Sequence, residues 1–183
     1  MSVPTKPAFV HIGNWDEETR KHPAMKWMEA YTNFVDQRNF DKPYSEWHTE
    51  DCEYHKHDGT VVSGGAECWR ESEKTFSVFT SFLHRPYFLM CVETDNGWEM
   101  LGQAYLCANI VGEPIAGEKK VDGPDGNAWD VVVPSGFHFE YVRDGNAMHE
   151  GILMKKNETM SDSWPIMNIL MKRGLFKAET AGK

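Results

Sequence analysis

The chain has 183 residues, of which 40% are hydrophobic and 13% aromatic, a composition typical of one globular domain whose core can enclose a cavity. Its formal net charge of −9 argues against nucleic acid or an anionic membrane as a partner, because both attract clustered Lys and Arg. No apolar run approaches the roughly 20 residues that span a bilayer, and no secretory signal is visible. We therefore expect a cytoplasmic protein.

Two helices are predicted in the first half of the chain. Residues 1–22 show no periodicity and are predicted to form an N-terminal arm on the surface. Pro23 then opens the segment 24–39, in which apolar residues recur at the helical period. A second helix is predicted over 65–83, where apolar residues fall on one face and charged residues on the other.

An extended segment joins these two helices and carries Tyr54, His55 and His57. The turn signal Asp58-Gly59 and a short apolar pair follow. We therefore expect a strand-and-turn segment between the helices.

The second half of the chain changes to strands, which are rich in aromatic and β-branched residues and are separated by Asp-Asn-Gly and Asp-Gly-Asn hairpin signals. The predicted strands are 87–92, 98–111, 129–142 and 147–156. A connection rich in Gly and Pro covers 112–130, and a last helix is predicted at about 163–176. Helices followed by an antiparallel meander and one helix indicate a single α+β domain over 1–183.

Three local features carry a resemblance to a known superfamily. The first helix runs into the segment 36–41, the Glu53-Tyr54 strand is followed by two glycine turns, and His84 comes where the second helix gives way to the sheet. With the order of elements, these features resemble the nuclear transport factor 2-like (SnoaL-like) superfamily, and within it the scytalone dehydratase-like proteins. The resemblance implies a cone-shaped α+β barrel, with helices packed into a curved mixed or antiparallel sheet around a central cavity.

The resemblance also implies roles for three residues. Asp36 matches the aspartate that ends the first helix of scytalone dehydratases. Tyr54 matches the strand tyrosine that helps to hold a water on the substrate carbonyl, and His84 matches the histidine after the long helix.

Other positions of the dehydratase pattern are not kept. Val35 replaces the tyrosine that precedes the aspartate, and Asn109 or Ile110 stands near the position of a second histidine. The positions of a serine and an asparagine fall near Pro134 and Gly136. These departures favour a relative that keeps the cone and has altered chemistry.

The resemblance and the residue types together suggest a mechanism. His84 would be a general acid/base, because an imidazole can take and return a proton near pH 7. Asp36 would orient it, and Tyr54, with Tyr105 or Asn109, would stabilise a developing enolate oxygen. A helix-capping histidine and an exposed aspartate are the alternative interpretations. The aromatic residues expected to line the substrate chamber are Trp27, Tyr31, Trp69, Phe79 and Phe139.

His138 and Glu140 alternate along the third predicted strand and share one of its faces. They are catalytic candidates if this face lines the cavity. They face away from it if Phe137, Phe139 and Tyr141 point inward instead. Periodicity alone does not choose between the two faces.

A metal site receives little support from the sequence. His55 and His57 could chelate one ion, but a cupin-like site would need a glutamate four or five residues later, where Val61 and Val62 stand. We therefore expect no metal and no cofactor, and a cupin-like metal-dependent enzyme is the weakest alternative. The four cysteines lie in separate apolar segments and are expected to be buried thiols.

These residues predict a cofactor-independent enzyme with a small-molecule substrate, since no glycine-rich phosphate loop or nucleophile elbow is present. The expected reaction is proton abstraction next to a carbonyl of an apolar polycyclic or phenolic metabolite. Loss of water, isomerisation or cyclisation would follow, which makes the enzyme a lyase or an isomerase. The resemblance implies polyketide or terpenoid secondary-metabolite biosynthesis and a homodimer or homotrimer. A non-catalytic ligand-binding or assembly module on the same fold is the main alternative.

Overall fold

The computed structural model describes residues 7–176, so residues 1–6 of the predicted arm lie outside the described part of the chain. The helices in this part are α1 (Pro23–Asp36), α2 (Gly65–Phe76) and α3 (Trp164–Lys172). The strands are β1 (Ala8–Ile12), β2 (His48–His55), β3 (Val61–Ser63), β4 (Phe79–Glu93), β5 (Gly97–Ile110), β6 (Val121–Asp122), β7 (Ala128–Trp129), β8 (Val131–Arg143) and β9 (Ile152–Ser161). None of the described helices is long and apolar enough to cross a membrane.

Seven strands form one open sheet in the order β1-β4-β5-β8-β9-β2-β3, and β6 and β7 form a separate hairpin. Neighbours in the large sheet pair antiparallel except β2 and β9, which are parallel. The three helices pack against this sheet. The prediction of an α+β fold, with helices packed on a curved mixed sheet, is confirmed.

The two faces of the sheet differ in chemistry. Residues that pair directly across neighbouring strands point to the same face. The register therefore places Met100 and its partner Phe139, like Tyr141 two residues further, on the face covered by the helices, which we call the inner face. Tyr141 packs edge-to-face on Trp27 of α1, and its hydroxyl donates to the sulfur of Met28 at 3.2 Å. The opposite face of the sheet is called the outer face.

The prediction of a helix over 65–83 is wrong beyond Phe76. Residues from Phe79 onward belong to β4, which pairs with β5. A register shift between Phe79 and Ser81 bulges the strand, so Phe79 and Phe82 are both buried although they are three residues apart. Spacing of this kind imitates a helical stripe.

The N-terminal segment and the end of α1 also differ from the prediction. The expected arm contains β1, which pairs as an edge strand with residues 88–92 of β4. α1 ends at Asp36 rather than near 39, because Arg38 has a φ of 60°, outside the right-handed helical region.

The last strand and helix begin later or end earlier than predicted. β9 begins at Ile152 rather than at 147, because Glu150 and Gly151 have φ of 56° and 66° and turn the chain before the strand starts. α3 lies within the predicted range 163–176 and is shorter than it.

Arg173 fastens the end of α3 to the sheet. Its guanidinium donates to the carbonyl oxygen of Ile110 at 2.6 Å and pairs with Glu118 at 2.7 Å and Asp130 at 3.0 Å. The Arg173 side chain is 1% exposed, and the two carboxylates compensate its buried charge. α3 is thereby held beside the end of β5.

Candidate active site

Asp36 and His84 form a hydrogen-bonded dyad. Nδ1 of His84 lies 2.6 Å from Oδ1 of Asp36, and the backbone N–H of His84 donates to Oδ2 of the same carboxylate at 3.0 Å. The Asp36 side chain is 8% exposed and the His84 side chain 26% exposed. The structure therefore brings together the residues predicted as base and orienting carboxylate, and Asp36 is not an exposed residue of the helix surface.

The dyad forms where β4 lacks a neighbouring strand. β1 pairs only with residues 88–92, so the earlier part of β4 has a free edge whose backbone groups need other partners. The end of α1 supplies them, since Asp36 accepts the N–H of His84 and Arg38 donates to the carbonyl oxygen of Phe79. The fold therefore fixes the position of the carboxylate.

The contact with Asp36 determines which imidazole nitrogen of His84 is free. A carboxylate only accepts hydrogen bonds, so Nδ1 carries the hydrogen and Nε2 presents its lone pair. No hydrogen bond to Nε2 is found within residues 7–176. A neutral His84 is therefore a base with an unoccupied nitrogen, and the adjacent carboxylate stabilises its conjugate acid.

Apolar side chains surround the imidazole. Phe76, the last residue of α2, and Phe82 of β4 both meet the ring edge-to-face, at centroid distances of 5.5 and 5.8 Å. The register makes Leu106 and Val133 the successive cross-strand neighbours of His84. His84 therefore lies on the inner face, in surroundings that suit a substrate with little polarity.

Sequence reasoning missed these neighbours of the dyad. Leu106 and Val133 come close to His84 only through strand register, which one sequence does not reveal. Phe82 falls within the segment 65–83, which the periodicity assigns to a helix. The segment Phe82-Leu83-His84 did contain a signal, because residues two apart share a face once the segment is extended.

Tyr54 also lies on the inner face but in a different part of it. The register aligns Tyr54 with Asn157 of β9 and, through it, with Phe139 of β8. Its side chain packs with two cysteines in a small cluster separate from the main core. No hydrogen bond joins Tyr54 to His84 among the described residues, and its role toward a substrate oxygen stays a prediction.

The aromatic residues predicted to line the chamber are buried in the main core. The indole of Trp27 donates to the carbonyl oxygen of Ile152 at 2.9 Å, and that of Trp69 to the carbonyl oxygen of Phe40 at 3.0 Å. These bonds fix both rings in the framework behind the inner face. Contact of these residues with a substrate stays a prediction. The full set in the core is Trp27, Tyr31, Trp69, Phe79 and Phe139.

Tyr105 and Asn109 lie on the outer face rather than beside the base. They alternate along β5 with Leu106, which faces inward with His84. Tyr105 packs against Tyr87 at a centroid distance of 4.6 Å. Asn109 accepts a hydrogen bond from Lys120 at 2.8 Å. Neither side chain reaches the dyad from β5, because a strand turns successive side chains to opposite faces.

His138 and Glu140 also lie on the outer face. The aromatic residues that alternate with them on β8 are buried under the helices. His138 lies 3.4 Å from Glu158 and 3.6 Å from Glu99, and Glu140 lies 3.8 Å from Lys156. The interpretation with inward aromatic residues is the one observed, and the sheet separates this pair from His84.

Within the described residues, no group of three or more His, Cys, Asp or Glu side chains is arranged to hold a metal ion. His55 instead pairs with Glu53 at 2.9 Å. All four cysteines are buried and free. Burial raises the pKa of Cys91 to about 12 and that of Cys107 to about 11, which makes both thiols poor nucleophiles at neutral pH.

Two surface grooves lie away from the dyad. One is lined by residues 115–119, Asp130 and part of α3, and the other by charged residues of β2, β8 and β9. Neither groove contains His84. We place the candidate site at the dyad because acid–base chemistry requires a fixed tautomer and a free nitrogen, whereas the grooves hold ion-paired side chains such as Glu118 and Lys156.

Solved structures with the same architecture include Aln2 from a Streptomyces species, with a TM-score of 0.59 at 12% identity over 85% of this chain and 99% of that one. A scytalone dehydratase-like protein from Novosphingobium aromaticivorans has a TM-score of 0.59 at 10% identity over 80% and 89% of the two chains. The hexachlorocyclohexane dehydrochlorinase LinA-type3 from Novosphingobium barchaimii has a TM-score of 0.56 at 13% identity over 80% and 91%. No protein-family model and no curated protein matches the chain.

At such low identity these likenesses establish architecture alone. The resemblance predicted from the sequence is therefore confirmed at the level of the fold. It was carried by residues 36–41, the Glu53-Tyr54 strand and His84. The chain adopts the α+β cone fold of nuclear transport factor 2-like (SnoaL-like) proteins.

Proposed function

We propose that this protein is a cofactor-independent acid–base enzyme of the lyase or isomerase type. The observation that carries the proposal is the Asp36–His84 dyad, which leaves Nε2 free on the inner face of the sheet. The similar structures support the reaction class, because dehydration and dehydrochlorination are both eliminations. Such eliminations begin when a proton is removed from carbon.

His84 performs both proton transfers. Its Nε2 takes a proton from a carbon next to a carbonyl, the C–H electron pair forms an enolate, and Asp36 stabilises the resulting imidazolium. The imidazolium then returns the proton. Delivery to a leaving hydroxyl completes a loss of water, and delivery to another carbon completes an isomerisation.

The surroundings of the imidazole favour a small apolar substrate. The partly exposed side chains of Phe76 and Leu106 offer surface for a polycyclic or phenolic molecule, and Phe82 and Val133 are buried beside the imidazole. Apolar walls also exclude water from the reacting atoms. The fold resemblance supports the further proposal of a role in polyketide or terpenoid secondary metabolism.

We also propose that the chain forms a homodimer or homotrimer through its outer face. The register places Val10, Ile12, Leu101 and Met160 on that face, and all four are exposed. Contiguous exposed apolar patches mark interaction surfaces. Light scattering after gel filtration tests this, since a mass equal to the 21.0 kDa of one chain would contradict assembly.

Deuterium exchange at carbon tests the enzymatic proposal without knowledge of the natural substrate. The probe is 1-tetralone, a bicyclic ketone that exchanges the protons beside its carbonyl in D₂O when a base removes them. We expect the wild-type protein to accelerate this exchange, followed by proton NMR. His84→Ala should lower the rate by ~10²-fold or more.

The matched control is His57→Ala, which changes an exposed histidine and should leave the rate unchanged. Exchange no faster than in buffer, or equal rates in wild type and His84→Ala, would contradict the proposal. Either result would favour a non-catalytic ligand-binding or assembly module.

A further inference from the structure

Two of the four cysteines, Cys52 and Cys68, lie next to each other in the fold. Cys52 is in β2, and Cys68 is the fourth residue of α2. Their side chains pack together in the small cluster that also contains Tyr54 and is separate from the main core. The thiol of Cys68 donates to the carbonyl oxygen of Cys52 at 3.2 Å and to that of Val62 at 3.4 Å. We call Cys52 and Cys68 the thiol pair.

The backbone holds the two cysteines within reach of a disulfide bond. Since Sγ of Cys68 lies 3.2 Å from the carbonyl oxygen of Cys52, it is within about 6 Å of the Cα of that residue. In a disulfide, each sulfur lies about 4–5 Å from the Cα of its partner. The N–H of Gly64 donates to the same carbonyl oxygen at 2.8 Å, which fixes the start of α2 against β2. Small side-chain rotations therefore suffice to join the two sulfurs.

The two thiols differ in reactivity. The hydrogen bond between them lowers the pKa of Cys68 and raises that of Cys52. The backbone N–H of Tyr54 also stabilises the Cys68 thiolate, although burial opposes this shift. Cys68 belongs to the first turn of α2, where the helix dipole favours a negative charge. Cys68 is therefore the nucleophile of the pair, and Cys52 is the thiol that reacts second.

The thiol pair is buried, and the short strand β3 is one of its covers. Val62 packs on the pair, and β3 has three residues at the edge of the sheet. Edge elements this short open locally at low free energy. A surface groove also reaches Ser63 and Gly64, the two residues between Val62 and α2. A molecule as small as hydrogen peroxide therefore has a short path to the pair.

The other two cysteines do not form such a pair. Cys91 of β4 pairs with Met100 of β5, and Cys107 lies seven residues further along β5. Seven residues of a strand span roughly 23 Å, and an odd number of steps turns a side chain to the opposite face of the sheet. Cys91 and Cys107 are therefore too far apart to join, and they serve as an internal control.

We propose that the thiol pair is an oxidative modification site, at which hydrogen peroxide converts Cys52 and Cys68 into a disulfide. The Cys68 thiolate attacks one peroxide oxygen, the O–O bond breaks, and Cys68 becomes a sulfenic acid as hydroxide leaves. The Cys52 thiolate then attacks Sγ of Cys68, the S–O bond breaks, and a second hydroxide leaves. The protons of the two thiols convert both hydroxides to water. The sulfurs are thereby oxidised and the peroxide is reduced, without any part taken by His84.

Peptide mapping of the wild-type protein tests this site. Reduced protein is treated with hydrogen peroxide, and the remaining thiols are alkylated in denaturant. Trypsin cuts after Lys56 and Arg70, so the two cysteines of the pair fall in separate peptides that only a disulfide can join. We expect two of the four cysteines to escape alkylation, both in this linked peptide, and dithiothreitol to restore them. Cys91 and Cys107 should be alkylated.

Variants separate the roles of the two thiols. Cys52→Ala leaves the Cys68 sulfenic acid without a partner, so dimedone, which reacts with sulfenic acids, should label Cys68. Cys68→Ala should show neither the crosslink nor the label, because the remaining thiol of the pair is unreactive. The matched control is Cys91→Ala, which removes another buried thiol and should keep the crosslink.

The wild-type experiment needs no variant, so the inference can fail even if a substitution prevents folding. Four alkylated cysteines after peroxide treatment would overturn it, as would a disulfide that includes Cys91 or Cys107. Dimedone labelling of Cys52 in folded Cys68→Ala, to the extent seen for Cys68 in Cys52→Ala, would overturn the assignment of Cys68 as the nucleophile.

Discussion

His84 and His48 each bind one oxygen-bearing partner among aromatic rings, yet their surroundings give them opposite properties. Nε2 of His48 lies 3.0 Å from the hydroxyl of Tyr31, and its ring meets Trp69 edge-to-face at 5.3 Å. His48 is 1% exposed, and burial lowers its pKa to about 4. His84 instead binds the carboxylate of Asp36 and is partly exposed.

The difference between the two histidines lies in the charge of the partner and in access. The hydroxyl of Tyr31 cannot compensate a positive charge, and burial raises the pKa of that phenol well above its ordinary value, so His48 stays neutral near pH 7. The carboxylate of Asp36 can compensate the charge, so His84 can hold a proton during a reaction. The buried His48 therefore contributes to packing, whereas the partly exposed His84 beside Asp36 can transfer a proton.

The largest effect expected of a single-atom change is at the carboxylate of the dyad. Both oxygens of Asp36 accept N–H groups of His84, and an asparagine amide at this position would turn an NH₂ group toward one of these donors. Asp36→Asn should therefore misplace the imidazole or favour its other tautomer. The rate of 1-tetralone exchange should fall by ~10²-fold or more.

Asp41→Asn is the matched control for this substitution, because Asp41 is an exposed aspartate a few residues further along the chain. It should leave the exchange rate unchanged. Exchange by a folded Asp36→Asn variant at nearly the wild-type rate would mean that the carboxylate does not orient the base. The carboxylate partner would then not explain why His84, unlike His48, can act as a base.

The second expected effect concerns stability and pH at His48. Its folded-state pKa of about 4 is below the value of about 6.5 expected in the unfolded chain, so the unfolded state binds the proton more readily between these values. The contribution of neutral His48 is fully present above pH 6.5 and is lost as the pH falls toward 4. The loss is on the order of 3 kcal/mol in the free energy of unfolding.

His48→Gln keeps a polar side chain beside Tyr31 and removes this titration. Urea unfolding at about pH 7.5 and pH 4.5 should show that the stability difference between wild type and His48→Gln shrinks at the lower pH. A difference that stays constant or grows on acidification would show that His48 is not held neutral. Exchange of 1-tetralone by folded His48→Gln should remain near the wild-type rate.

The smallest effect is expected on the outer face. Glu140→Gln and His138→Gln change residues that the sheet separates from His84, and surface substitutions of this kind usually alter stability by less than about 0.5 kcal/mol. Both variants should catalyse 1-tetralone exchange within about twofold of the wild-type rate. A loss comparable to that of Asp36→Asn would place this strand face in the site after all.

The sequence was sufficient to predict the two residues of the dyad and the order of the three helices and the long strands, but not β1 or the hairpin of β6 and β7. Asp36 ends an amphipathic helix, and His84 lies in β4, the strand that follows α2, so local patterns located both. The resemblance to scytalone dehydratase-like proteins paired them. The helical period also identified α1 and the start of α2, because one face of each helix packs on the core and the other faces solvent.

Register and side-chain direction could not be predicted in the same way. The bulge after Phe79 made a strand resemble a helix, and the alternation of His138 and Glu140 is equally compatible with either face of β8. The neighbours of the base, Leu106 and Val133, come from distant strands.

The tautomer of His84 tests the central claim most directly. In proteins with ¹⁵N-labelled histidine, long-range ¹H–¹⁵N NMR distinguishes the two ring nitrogens, and the His84 signals are those absent from His84→Ala. We predict that neutral His84 carries its hydrogen on Nδ1, toward Asp36, and that Nε2 is unprotonated. A hydrogen on Nε2 would contradict the account, because His84 would then present no base to a substrate.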